Sequence, residues 1–186
     1  MSTPAPTRRH SFSVADFHRL GETGVLAPDS RVELIEGDLI DMAPTGSPHG
    51  GMVLYLNNLL VPALGGRALV GTQNPLALDE QTEVYPDVFV LKPRADWYRT
   101  AHPRPQDILL LIEVADSTIL SDRRRKLPLY ARHGIAEVWL IDLVQQVVEV
   151  CREPGPNGFA ARSVHREGTI TASQIDGVRI DLAGLF

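Results

Sequence analysis

The chain of 186 residues contains one cysteine, Cys151, so an internal disulfide or a cysteine-rich zinc site is excluded. No stretch approaches the roughly 18 consecutive apolar residues that a membrane helix requires. The opening MSTPAPTRRH holds no apolar core of the signal-peptide kind. The expectation is a cytoplasmic protein with no membrane partner, in a reducing compartment. Aromatic residues make up only 6% of the chain, and no internal repeat or low-complexity tract is present. Hydrophobic residues at 44% and charged residues at 22% match ordinary globular usage, which excludes a wholly disordered or fibrous chain. Gly 15 and Pro 14 favour turns and short strands over a long helical bundle. At this length one domain is expected over 11–186, preceded by a flexible tail over 1–10.

The net charge of -5 gives no general basic character. It is unevenly distributed. Between Lys92 and Arg132 nine basic residues face five acids, a local balance of +4, and the remainder carries -9. An anionic partner belongs with this middle segment unless both stretches are simply solvated faces.

Ser13, with Asp16 three residues on, predicts a capped helix carrying Val14, Phe17 and Leu20. Arg31 to Met42 reads as a hairpin turning at Glu36, Gly37 and Asp38. Ser47 as N-cap and Pro48 at the first helical position open a helix that ends at Gly65 and Gly66. Strands are expected at Ala68 to Thr72, Pro86 to Leu91 and Asp107 to Val114, the last (DILLLIEV) buried on both faces. A helix follows from Ser121 to His133, with Pro128 kinking it or marking its true start, and then the strand Ala136 to Asp142. Val147 to Cys151 and Phe159 to Val164 form a further hairpin. The order helix, three strands, helix, strand predicts an α/β fold with a mixed sheet.

If the strands at Pro86 and Asp107 run antiparallel, Asp87 and Glu113 meet at one end of the sheet. Two carboxylates so placed need a compensating cation, and a hard metal such as Mg²⁺ fits, unless Asp87 merely starts a strand and Glu113 pairs with an arginine. Lys126 and Tyr130 share a helix face at four-residue spacing, where Lys126 would position a water or stabilise phosphoryl charge; alternatively the run Arg123 to Lys126 is a solvated face. His49 stands in the first turn of its helix, either toward a phosphate or toward solvent. Trp97 and Tyr98 lie in the basic loop, to stack on unpaired bases, pack the loop or join a dimer. Ser117 reads as a cap or turn residue, because no Gly-x-Ser-x-Gly elbow surrounds it. Trp139 reads as core.

The strings YPDVFV, LLLIEVADST and RRRKLPLYARHGIAEVWLID, with VELIEGDLIDMAPTGSPHG upstream, resemble the Uma-two family of restriction-endonuclease-like proteins in the PD-(D/E)XK nuclease superfamily. The resemblance covers Arg31 to Asp142 and implies a restriction-endonuclease-like core with added N-terminal and C-terminal hairpins. It also implies Asp87 and Glu113 as metal ligands, with the Val114 carbonyl as a third, and Mg²⁺ or Mn²⁺ as the metal. The lysine expected two residues after the acid is replaced by Ala115, and the resemblance points to Lys126 instead. No acid occupies the helix from Pro48 to Leu64; Glu33, or else Glu36, would substitute, and strand alternation puts these two on opposite sides. The implied activity is metal-dependent endonucleolytic hydrolysis of DNA, bound along Lys92 to Arg132, with His49 assisting. A homodimer is the simplest way to cut both strands. The rivals are a nuclease-fold protein that binds nucleic acid or protein without turnover, favoured by Ala115 and the net charge, and a hydrolase of small phosphodiesters.

Overall fold

The computed structural model describes residues 10–116, 119 and 122–186. The expected tail falls outside them except for His10, as do the expected cap at Ser117 and helix start at Ser121. In chain order the elements are α1 (Val14–Glu22), β1 (Val32–Ile35), β2 (Asp38–Asp41), α2 (Ser47–Leu64), β3 (Leu69–Gly71), β4 (Leu76–Asp79), β5 (Thr82–Val84), β6 (Val88–Leu91) and β7 (Ile108–Ala115). A π-helical turn (Asp122–Lys126) then leads into α3 (Leu127–Arg132), β8 (Glu137–Asp142), β9 (Val147–Gly155), β10 (Gly158–His165), β11 (Thr169–Thr171) and β12 (Arg179–Asp181). Among the described residues no helix is long and apolar enough to cross a membrane.

Chain contacts divide into two units, one of 1–42 with 77–84, the other of 43–76 with 85–186. In the first, Ser13 and Asp16 form a reciprocal capping box at α1. Its sheet runs β2-β1-β5-β4. The β1–β2 hairpin closes through Glu36 and Gly37, both at positive φ (52° and 83°), with Ile35 opposite Asp38. That is the two-residue turn whose twist suits a hairpin. Asp38, expected in the turn, therefore begins β2. β4 and β5 were not anticipated. His18 Nε2 lies 3.0 Å from the buried Glu83 carboxylate.

The second unit holds a six-stranded sheet ordered β10-β9-β8-β7-β6-β3. Only β7 and β8 pair in parallel; the other neighbours are antiparallel. The mixed sheet thus matches expectation. In β7 alternate side chains take opposite faces. Leu110, Ile112 and Val114 join Met52, Val53, Leu56, Leu60 and Leu64 of α2 in one apolar core with Val88 and Val90. The α2 N-cap is Gly46 rather than Ser47, one residue earlier than predicted, and Gly65 closes the helix in the left-handed conformation at φ 53°. β7 runs one residue later than expected, because Asp107 ends a 3₁₀ turn from Pro105. The predicted helix from Ser121 divides, with Pro128 in the first turn of α3, where its missing N–H costs no helical bond.

Candidate active site

The antiparallel register of β6 and β7 sets Val88 opposite Ile112, so one step further Asp87 stands opposite Glu113. Side chains directly opposite in such a pair share a face with Cβ atoms about 5 Å apart. Both carboxylates are buried, Asp87 8% and Glu113 2% exposed.

Each is held by its own set of donors. Asp87 Oδ2 accepts from the Val114 backbone N–H at 2.9 Å, and Oδ1 from the Gln73 amide at 3.4 Å. His49 Nε2 lies 3.0 Å from Oδ1. Burial opposes ionisation of Asp87, yet the hydrogen bond and charge of His49, the Val114 N–H and the Lys126 charge together carry its pKa below the usual carboxylate value. Glu113 accepts a short hydrogen bond from the Tyr130 hydroxyl and lies 3.4 Å from Lys126 Nζ. Burial pushes its pKa well above the ordinary value; Lys126 and Tyr130 oppose this, while Asp87 and Asp122 add to it. The two acids are thus driven apart, one kept ionised and the other drawn toward its proton.

The π-helical turn is the local device that brings Lys126 here. Such turns are rare and change the phase of a helix. Lys126 ends it, Tyr130 follows in α3, and both reach Glu113. Arg123, in the same turn, donates from Nε to Glu149 Oε2 at 2.9 Å and fastens the turn to β9.

The donor set suits a hard divalent cation, which prefers oxygen ligands. Extending the β6–β7 register places Pro86 opposite Val114, at a position where the two residues would exchange ladder bonds. Pro86 has no N–H to return. The ladder therefore offers no donor to the Val114 carbonyl, beside two carboxylates. An oxygen triad at one sheet end fits Mg²⁺ by charge and chemistry.

Of the residues expected from sequence, the structure brings Asp87, Glu113, Val114, Lys126 and His49 together in the second unit. Glu33 and Glu36 belong to the first unit: Glu33 is buried in β1 opposite Ile40, and Glu36 is exposed in the hairpin turn. Sequence reasoning missed Gln73, a turn residue at φ 52° whose N–H bonds the Pro86 and Asp87 carbonyls. It also missed the buried Asp122, counted only among the five acids between Lys92 and Arg132.

A sheet with one parallel pair, helices before and after the antiparallel trio β3-β6-β7, and an acid at each facing end of β6 and β7 define a restriction-endonuclease-like α/β protein. The family model described as "Uma2: Putative restriction endonuclease" matches residues 14–183, and the chain belongs to that family. In fold it is similar to the crystal structure titled "a putative nuclease belonging to DUF820" from Anabaena variabilis ATCC 29413. The TM-score is 0.70 at 18% identity, covering 94% of this chain and 97% of that one. No protein of curated function matches.

Proposed function

We propose that this protein is a metal-dependent endonuclease that hydrolyses DNA phosphodiester bonds in the cytoplasm. The observation that carries the reading is the opposition of Asp87 and Glu113 at one end of β6 and β7, with Lys126 Nζ 3.4 Å from Glu113. Asp87, Glu113 and the Val114 carbonyl would hold Mg²⁺, or Mn²⁺ in its place. A bound divalent cation supplies charge to the scissile phosphate and lowers the pKa of water at the site.

The chain's own groups do the remainder. His49 and the Val114 N–H hold Asp87 ionised and oriented. Tyr130 fixes the Glu113 carboxyl. Lys126, only 14% exposed, places a positive charge against the attacking water or the developing phosphoryl charge, the task left open by Ala115. DNA would approach along the basic stretch from Lys92 to Arg132, and a homodimer would present two such sites to a duplex.

The test is cleavage of supercoiled plasmid by the wild type and by Glu113→Gln, each with Mg²⁺, Mn²⁺ or EDTA. Cutting by the wild type alone, and only with metal, is expected. Equal cutting by Glu113→Gln would overturn the assignment, and no cutting by either, with salt-sensitive DNA binding retained, would favour a binding role.

A further inference from the structure

The second unit has a pocket of about 570 Å³, walled by Phe89, Leu91, Trp97 and Tyr98 with Asn74 among them. That volume suits a small planar ligand. We infer that the pocket receives an unpaired nucleobase of the DNA strand being cut, stacked on Trp97. The inference rests on the proposed nuclease reading and adds to it the strand state of the substrate.

Three observations carry it. The first is adjacency. The turn after β3 serves both places: Gln73 bonds Asp87, and the next residue, Asn74, lines the pocket. Along β6, Phe89 follows Asp87 by two residues on the same face, a rise of about 7 Å. The pocket runs from Asn74 and Phe89, the end nearer Asp87, to Leu91 and the Trp97 loop at the far end of β6, about 13 Å from Asp87 along the strand, so a base at Trp97 belongs to a nucleotide about two positions from the one at the carboxylates.

The second is the way Trp97 is displayed. Trp97 and Tyr98 lie in succession in the left-handed backbone region, at φ 57° and 58°, which costs free energy for bulky residues. The conformation is held by Asp96, which accepts from the Arg94 guanidinium, the Tyr98 N–H and the Thr100 hydroxyl. The Tyr98 hydroxyl donates to the Lys92 carbonyl at 2.9 Å, and the Arg94 guanidinium lies 4.0 Å over the Tyr98 ring. A strained, multiply tied loop leaves its largest apolar side chain 64% exposed at the pocket wall. Core packing gains nothing from that; a stacking partner would.

The third is charge. Lys92, Arg99 and Arg104 are exposed on the loop that carries Trp97, so cations flank the segment that forms the aromatic wall. That pairing fits a base attached to a phosphodiester, whereas an apolar peptide or a neutral lipid would make no use of the loop's charge.

Tryptophan fluorescence reports the site directly, because Trp139, the chain's other tryptophan, is fully buried. The full chain is titrated in EDTA, where no turnover occurs, with three DNA probes of about ten nucleotides. These are a single strand, an abasic strand of the same length, and a blunt duplex. The single strand is expected to quench Trp97 emission and to bind about tenfold more tightly than the abasic strand, with the duplex giving no quench. Read by anisotropy of the same strands carrying an end label, Trp97→Ala should remove that preference while leaving abasic binding unchanged, and Trp97→Phe should keep most of it. Equal binding of single and abasic strands, persistence of the preference in Trp97→Ala, or binding of no strand would each overturn the inference. Plasmid cleavage on the same preparations separates the two readings. Cutting without base preference sinks the pocket alone, and base preference without cutting sinks the nuclease reading alone.

Discussion

Cys151 is fully buried in β9, and burial, with the nearby Glu149 charge, raises its thiol to about 11. The thiolate is the reactive form, so native protein should resist iodoacetamide at pH 8, while protein in urea reacts as an ordinary cysteine. Because the folded pKa lies above the unfolded one for this acid, its contribution to stability is constant below about pH 8.5 and falls as pH rises toward 11. Mass spectrometry of alkylated protein with and without denaturant checks this, and rapid native labelling would contradict it. At the same scale, Tyr130→Phe removes the hydroxyl that orients Glu113, and plasmid cleavage should fall about 10–100-fold with the fold retained. What the sequence revealed at this scale was uneven. Asp87 and Glu113 could be paired because each flanks an apolar run, on the condition, met in the structure, that the two strands run antiparallel. The His49–Asp87 contact joins residues far apart in the chain, and no local periodicity encodes it. Gln73 acts through a turn at positive φ, a conformation its residue type does not advertise.

At the scale of elements, β8 depends on an acid. Glu137 is wholly buried and accepts from the Trp139 indole N–H at 2.7 Å, the Arg152 guanidinium at 2.7 Å and the Ser173 N–H at 2.7 Å. It therefore links β8, β9 and the segment after β11. Glu137→Ala leaves these donors without their acceptor and should cost about 3–5 kcal/mol in urea unfolding; a loss within experimental error would show that water replaces the carboxylate. Glycine matters at Gly71, where a Cβ would stand 2.6 Å from ring carbons of Phe89 on the paired strand. The long elements were legible from periodicity: α2 from its Pro-led start and terminal glycines, β7 from its unbroken apolar run. β4 and β5, of four and three residues, were not. The π-helical turn was invisible too: a run of arginines and one lysine looks the same whichever helical phase it follows.

For the whole molecule, charge segregation has a measurable consequence. The net charge of -5 should weaken association with a polyanion at low salt, while the exposed cations from Lys92 to Arg104 provide local contacts. DNA affinity should fall steeply with salt, by about 0.9 in log–log slope for each phosphate contact, and Arg99→Ala with Arg104→Ala should reduce that slope by about 1–2. Fluorescence anisotropy across a salt series reads both, and an unchanged slope would remove this loop from the binding surface.

The first unit is assembled from two separate stretches, 1–42 and 77–84, so the chain passes between the units three times. Such a unit cannot be exchanged as a cassette. Its sheet places β5 beside β1, so a chain shortened to begin at residue 43 would retain the β4–β5 hairpin with an uncovered edge, open to pairing with another copy.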